Sequence, residues 1–253
     1  MLSYTFKRLL QAIPTLWIVI TLSFFLMHLA PGGPFDGERQ LPPEIEANLM
    51  ASYGLDKPVW EQYFTYMGNL LQGDLGPSFK YKDFSVTELV AQGFPVSLEL
   101  GLWAIGLALL VGIPMGVIAA LKRNSSIDYM VMGTALAGVA IPNFVIAPLL
   151  ALVFGVFLAW LPVGGWNDGH WKNMILPVVA LSIQQIAYIA RMMRASMIEV
   201  LSSHFVRTAR AKGLSESAVI FRHALRPAML PVISYLGPAI AGIITGSVVI
   251  EQI

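Results

Sequence analysis

Seven of the chain's 16 Lys and Arg residues fall between Arg191 and Arg226: Arg191, Arg194, Arg207, Arg210, Lys212, Arg222 and Arg226. A basic stretch of this kind can dock on anionic headgroups or on an acidic partner surface. Other chemistry is poorly provided for. The four histidines (His28, His170, His204, His223) are scattered and make no metal or catalytic-triad spacing. Cysteine is absent, so there is no thiolate metal site, disulfide framework or cysteine nucleophile. No GxxxxGK[ST] phosphate loop occurs. A net charge of +1 gives no case for nucleic acid.

The basic stretch reads ARMMRASMIEVLSSHFVRTARAKGLSESAVIFRHALRPAMLP. Its pattern predicts a short helix, a turn at Gly213 and a second helix. Gly213 can supply a left-handed cap, Ser215 an N-cap, and Pro227 stands near the entry to the next apolar run. The hairpin would be basic along one side and small along another (Thr208, Ala209, Ala211, Gly213). A basic loop resting on headgroups would account for the charge alone. A helix laid in a partner's groove would also account for the small face, which permits close approach.

The elements that must hold this hairpin are membrane helices. Hydrophobic residues make up 56% of the 253 positions, charged ones 12%, and mean hydropathy is +0.68. A soluble domain carries about 25% charged residues. Charge-free runs extend over Leu9–Ala30, Leu100–Leu121, Tyr129–Asn167, Asn173–Ala190 and Pro227–Ile250. A spanning helix needs about 20 apolar residues, so five spans are expected, the third ending near Trp160. Buried helices of a soluble protein would be shorter and amphipathic. The first run follows Lys7 and Arg8 and leads into Pro31-Gly32-Gly33-Pro34 rather than a small-residue cleavage site, so it reads as a retained anchor.

Positive charge near span ends marks the cytoplasmic side. Lys7 and Arg8, Lys122 and Arg123, and the seven residues of 191–226 together hold 11 of the 16 basic residues, and they alternate with the opposite side. The N-terminus is therefore expected inside. The expected organisation is 1–30, cytoplasmic tail and first span; 31–95, an external (periplasmic) cap; and 96–253, a core whose cytoplasmic loop is 191–226. The segment 31–95 has nine acidic residues against four basic ones, and a short helix is expected over Pro43–Tyr53, closed by Gly54. A passive linker is the alternative. Five spans would leave the C-terminus outside directly after an apolar run, so at least one further helix is expected beyond Ile253.

The hairpin resembles the coupling loop of ABC-importer permeases, whose loose pattern is EAA, three residues, Gly, nine residues, then Ile-x-Leu-Pro. Gly213 takes the glycine position. Arg207, Thr208 and Ala209 take the EAA positions, where only the last alanine matches. His223 and Leu225 take the Ile and Leu places, and Pro227 comes one position late. RLLQAIPTL, APGGPF, GPSFKYKD, FPVSLELG, IPNFVIAPLL and ARMMRASMIEVL extend the resemblance over nearly the whole chain, to the oligopeptide and dipeptide permease branch. That resemblance implies an all-α polytopic bundle of the type I importer class in a bacterial inner membrane. It implies docking of Arg207, Thr208, Ala209, Arg210, Ala211, Lys212, Gly213 and Leu214 on an ATPase. It also implies two cytoplasmic ATPase subunits carrying ATP and Mg, a second homologous permease and a periplasmic peptide-binding protein. The chain itself would bind no cofactor. Similar permeases import nickel, glutathione or haem, so the substrate class rests on the resemblance.

An ion-coupled secondary transporter would need ionisable groups inside the spans. The run interiors hold none: Glu99 and Asp128 lie at ends, and His28 near the outer end of the first run reads as interfacial. A membrane-embedded hydrolase lacks a paired base and nucleophile. Asn143, Ser182, Gln184, Gln185, Ser234 and Thr245 are candidate path-lining residues, because a peptide's charged ends need polar neighbours. Pro114, Pro142, Pro148 and Pro177, with Gly106, Gly112, Gly116, Gly133 and Gly138, serve packing. The alternative to packing is that Ile141-Pro142-Asn143 and Gly237-Pro238 kink helices that line the path.

Overall fold

The computed structural model describes residues 2–30, 50–51, 53–79, 81 and 84–246. The regular elements among these residues are helices, and the only β feature among them is an isolated antiparallel bridge between Pro77 and Ser85. The chain divides into two compact units, Met1–Gln92 and Gly93–Ile253.

The first unit holds α1 (Leu2–Leu29) and α2 (Val59–Leu71). Most of α1 is apolar and exposed, as a lipid-facing helix requires. Its last turns are tied to α2 by aromatic packing. Phe24 stacks on Tyr66 at 5.7 Å and Phe25 on Tyr63 at 5.5 Å, while the Thr21 and Tyr63 hydroxyls are hydrogen-bonded at 2.8 Å. His28 lies 3.0 Å from Gln62 Oε1 through Nε2 and 2.9 Å from the Phe24 carbonyl through Nδ1. His28 is thus a packing residue between the two helices. The helix expected over Pro43–Tyr53 lies largely outside the described residues; Gly54, at its expected end, has φ +67°.

Helix α3 (Val86–Leu121) begins with a capping box. Ser85 N–H donates to Glu88 Oε2 at 2.8 Å and Glu88 N–H donates to Ser85 Oγ at 3.1 Å, which satisfies two of the helix's otherwise unpaired amides. The second unit continues with α4 (Ser126–Ala140), α5 (Asn143–Leu150) prolonged by a π-turn (Ala151–Phe157), and α6 (Trp171–Leu201). Beyond these lie α7 (His204–Ala211), α8 and α9 (Leu230–Gly246). Helix α8 comprises Glu216–Ala218, the π-turn Val219–Ala224 and Leu225–Ala228.

Three helices, α1, α3 and α6, are each long and apolar enough to cross a membrane. Two bent pairs raise the number to five if each is one span. The run expected as a single third span is in fact two arms meeting at 99°. Pro142 has no N–H to give and forces Ile141 out of the helical region, to φ −92° and ψ 119°. The second bend, of 45°, falls at Met229 between α8 and α9; α9 runs on without a break across Gly237-Pro238.

Helix α6 is the centre of the second unit, and glycine brings its neighbours close. A Cβ on Gly116 of α3 would stand 2.5 Å from the Ala190 carbonyl oxygen, and one on Gly112 would stand 3.0 Å from Ile189. Gly112 and Gly116 form a Gly-x-x-x-Gly face, the spacing that lets two membrane helices touch backbone to backbone. Gly138 makes the same approach from α4 to Ile183 and Ala187. Gly106 and Gly133 meet nothing within 4 Å and have no such role.

Candidate functional site

Helix α7 is amphipathic because its two buried apolar residues sit three apart. Val206 is fully buried and Ala209 is 5% exposed, whereas His204, Phe205, Arg207, Thr208, Arg210 and Ala211 face outward. The buried pair joins a cluster with Ala108 and Ala120 of α3, Ile189, Met193 and Met197 of α6, Val219, Ala224 and Ala228 of α8, and Val232 of α9. The outward surface of α7 is therefore carried on the core of the helical bundle itself.

The turn after α7 is a Schellman motif. Leu214 N–H donates to the Ala209 carbonyl at 3.4 Å and Gly213 N–H to the Arg210 carbonyl at 2.9 Å. Gly213 has φ +79°, the left-handed conformation that glycine adopts without penalty. No neighbour lies within 4 Å of a Cβ built there, so conformation rather than space selects glycine. Ser215 then caps α8, its hydroxyl accepting from Ala218 N–H at 3.4 Å. Across the turn, Arg210 makes a bidentate ion pair with Glu216, at 3.1 Å from Nε and 2.5 Å from an η nitrogen. Both partners are exposed, so the pair sets the angle of α7 on α8 more than it stabilises the fold.

Of the eight residues expected on the docking surface, Arg207, Thr208, Arg210, Ala211, Lys212, Gly213 and Leu214 are exposed. Ala209 is the exception, a correction to the expected small face. It fills the space beneath α7 and anchors the helix. Phe205, half-exposed beside this surface, is absent from the sequence-based set. Its position next to Val206 was the available signal: with Val206 inward, Phe205 must turn about 100° away.

The candidate path-lining residues do not form one group. Gln184 and Gln185 lie half-buried on α6, with Gln185 Oε1 accepting from Tyr235 OH at 2.8 Å. Asn143 sits at the 99° bend with its Oδ1 buried and, among the described residues, unpartnered. Ser234 and Thr245 are exposed on α9, and each hydroxyl donates to a carbonyl of its own helix. Ser182 is fully buried and donates to the Val179 carbonyl at 2.9 Å, so it is a packing residue and lines no path.

One further charged contact escaped the sequence reading. Arg194 on α6 grips Asp128 on α4 through two bonds, at 2.5 and 2.6 Å, with Asp128 only 1% exposed. Asp128 also accepts from Asn124 N–H at 2.9 Å, closing the turn between α3 and α4. The pair fixes the α4 start against α6 at the end of the bundle that carries α7. Among the described residues no group of three or more His, Asp or Glu side chains could hold a metal ion.

Comparison with known proteins places this arrangement. Residues 112–253 match the family model of the binding-protein-dependent transport system inner membrane component, and residues 1–101 match the N-terminal model of the same systems. The whole chain aligns at 62% identity with the oligopeptide transport system permease protein OppB of Salmonella typhimurium, covering 83% of it. The Haemophilus influenzae protein of the same name is 58% identical over 83% of its length. The dipeptide transport system permease protein DppB of Bacillus subtilis is 45% identical over 82% of its length. With a multi-helical membrane bundle, matches across its length and these identities, the chain belongs to the binding-protein-dependent transport inner-membrane components, in the oligopeptide and dipeptide ABC permease branch.

Proposed function

We propose that this chain is a non-catalytic permease subunit that pairs with a second, homologous permease to form the path for peptides in a bacterial ATP-driven importer. An external binding protein delivers the peptide. Two cytoplasmic ATPase subunits hold ATP and Mg and dock on α7 and the turn at Gly213. In this reading the N-terminus is cytoplasmic, the chain sits in the inner membrane, and 31–95 forms the cap that meets the binding protein.

One observation carries the reading. The exposed face of α7 is backed by a buried cluster shared with α3, α6, α8 and α9. A push on α7 by a closing ATPase pair therefore moves four membrane-core elements together, because a packed core transmits displacement rather than absorbing it. Closure of the ATPases would then swing the core between inward-open and outward-open states. The peptide specificity is supported by the relatives named as oligopeptide and dipeptide permeases.

The test is a reconstituted complex of this chain with the second permease, both ATPases and the binding protein. Tripeptide added with the binding protein is expected to stimulate ATP hydrolysis and uptake. Gly213→Val is expected to leave assembly intact and to cut uptake about tenfold relative to hydrolysis, since a β-branched residue resists φ +79°. Wild-type uptake by this variant would refute the docking assignment.

A further inference from the structure

Three sectors of α6 are covered by neighbouring helices. Gly112 and Gly116 of α3 press on Ile186, Ile189, Ala190 and Met193. Gly138 of α4 presses on Ile183 and Ala187, and Asp128 holds Arg194. Tyr235 of α9 bonds Gln185 and packs its ring 6.0 Å from that of Tyr188. At 100° per residue, the sector left between the α4 and α9 contacts carries Gln184 and Arg191, with Tyr188 at its edge.

That sector and its α9-facing edge carry a group of polar side chains. Gln184, Gln185, Tyr188, Arg191 and Tyr235 are all half-buried. The Arg191 guanidinium lies 5.1 Å from the centre of the Tyr188 ring, which supports the cation from one face. Its Nε is buried and, among the described residues, has no hydrogen-bond partner. Among the described residues the ion pairs are Arg194 with Asp128 and Arg210 with Glu216, so Arg191 has no carboxylate. Arg194, one turn away, has its anion in place. In the proposed orientation Arg191 stands at the cytoplasmic end of the apolar run of α6, held in position by an aromatic ring and without a carboxylate among the described residues, so its guanidinium fork is available to an anion.

We propose that Arg191, with Tyr188 and Gln184 beside it and Gln185 and Tyr235 behind, forms a subsite that takes the carboxylate of a peptide in transit. The guanidinium fork accepts a carboxylate in two parallel bonds, and the Gln184 amide can donate a third. Tyr235, by holding Gln185 and Tyr188, positions the site from α9. The inference rests on the peptide-import reading and adds to it a place where the peptide's acidic end is held.

A radiolabelled tripeptide carrying a benzoylphenylalanine side chain, prepared as the free acid and as the C-terminal amide, tests this in the complete transporter in proteoliposomes. Uptake of an unmodified tripeptide by the same wild-type preparation is measured alongside, so that loss of the import reading is seen separately. The free acid is expected to photolabel α6 or α9 at least about fivefold more than the amide, the scale of a charge-assisted contact. Arg191→Gln is expected to lower labelling by the acid to the level of the amide, and Arg191→Lys to retain part of it. Equal labelling by acid and amide in wild type would overturn the subsite, as would unchanged labelling in Arg191→Gln. Failure of both variants to assemble with the other subunits would assign Arg191 to a subunit contact and also overturn it.

Discussion

At the scale of single residues, two contacts dominate the second unit. Asp128 and Arg194 lie 66 positions apart and meet in a place where Asp128 is 1% exposed. Asp128→Leu strands the Arg194 cation and is expected to destabilise the chain by about 3 kcal/mol, because an uncompensated buried charge costs more than the pair contributes. The double variant Asp128→Leu/Arg194→Leu is expected to recover much of that loss, read as the midpoint of thermal unfolding in detergent. A double variant no better than the single one would show that the pair stabilises by itself. The glycines give a second comparison. Gly116→Ala sets a methyl 2.5 Å from the Ala190 carbonyl and must part α3 from α6, at about 1–3 kcal/mol. Gly106→Ala, with nothing within 4 Å, is expected to leave the unfolding midpoint unchanged. Equal effects of the two would remove the Gly-x-x-x-Gly crossing from the account.

At the scale of elements, α7 is a helix of eight residues whose position depends on its two buried side chains and on the turn that ends it. Val206→Asn puts an unpaired amide into the cluster and is expected to lower thermal stability by about 2 kcal/mol. Phe205→Asn, on the exposed side, is expected to leave stability unaltered and to weaken retention of the ATPase subunits during purification. The Gly213 turn ranks substitutions by φ and not by size. Coupling of hydrolysis to uptake is expected to fall in the order Gly, Asn, Ala, Val, because asparagine tolerates the left-handed region better than alanine. An order set by side-chain volume, with Ala above Asn, would mean that space rather than conformation limits the site. The bend at Pro142 falls where the sequence reading put a kink, but its size, which splits the expected third span into two arms, was not legible. Pro14, Pro114, Pro148, Pro177 and Pro238 lie inside helices without ending them, and nothing local separates Pro142 from these. Neighbouring helices re-satisfy the backbone in membrane proteins, so how far a proline bends or breaks a helix depends on packing rather than on local sequence.

At the scale of the whole molecule, long charge-free runs were enough to place α1, α3, α6 and α9, since hydrocarbon leaves a helix few alternatives. The basic hairpin was legible too: Gly213 and Ser215 have local turn and cap chemistry that requires no knowledge of partners. What escaped was pairing at a distance. Arg194 was one cation among seven until its carboxylate was found on another helix, and Ala209 suits an inner or an outer face equally well because it is small. Ser182 was misread for the same reason, since a hydroxyl can satisfy itself on its own helix. Topology is separately testable: a cysteine placed at Asp56 is expected to react with an impermeant reagent added outside spheroplasts, and reaction from the cytoplasmic side alone would invert the orientation. The central claim is that α7 presents one face to an ATPase and keeps the other in the core. Cysteines at Ala211 and Ala209, in a cysteine-free chain, address it in the assembled complex with a bifunctional thiol-to-amine crosslinker. The Ala211→Cys variant is expected to join an ATPase subunit and the Ala209→Cys variant to join none; absence of an ATPase crosslink from Ala211→Cys, or an equal one from Ala209→Cys, would contradict the account.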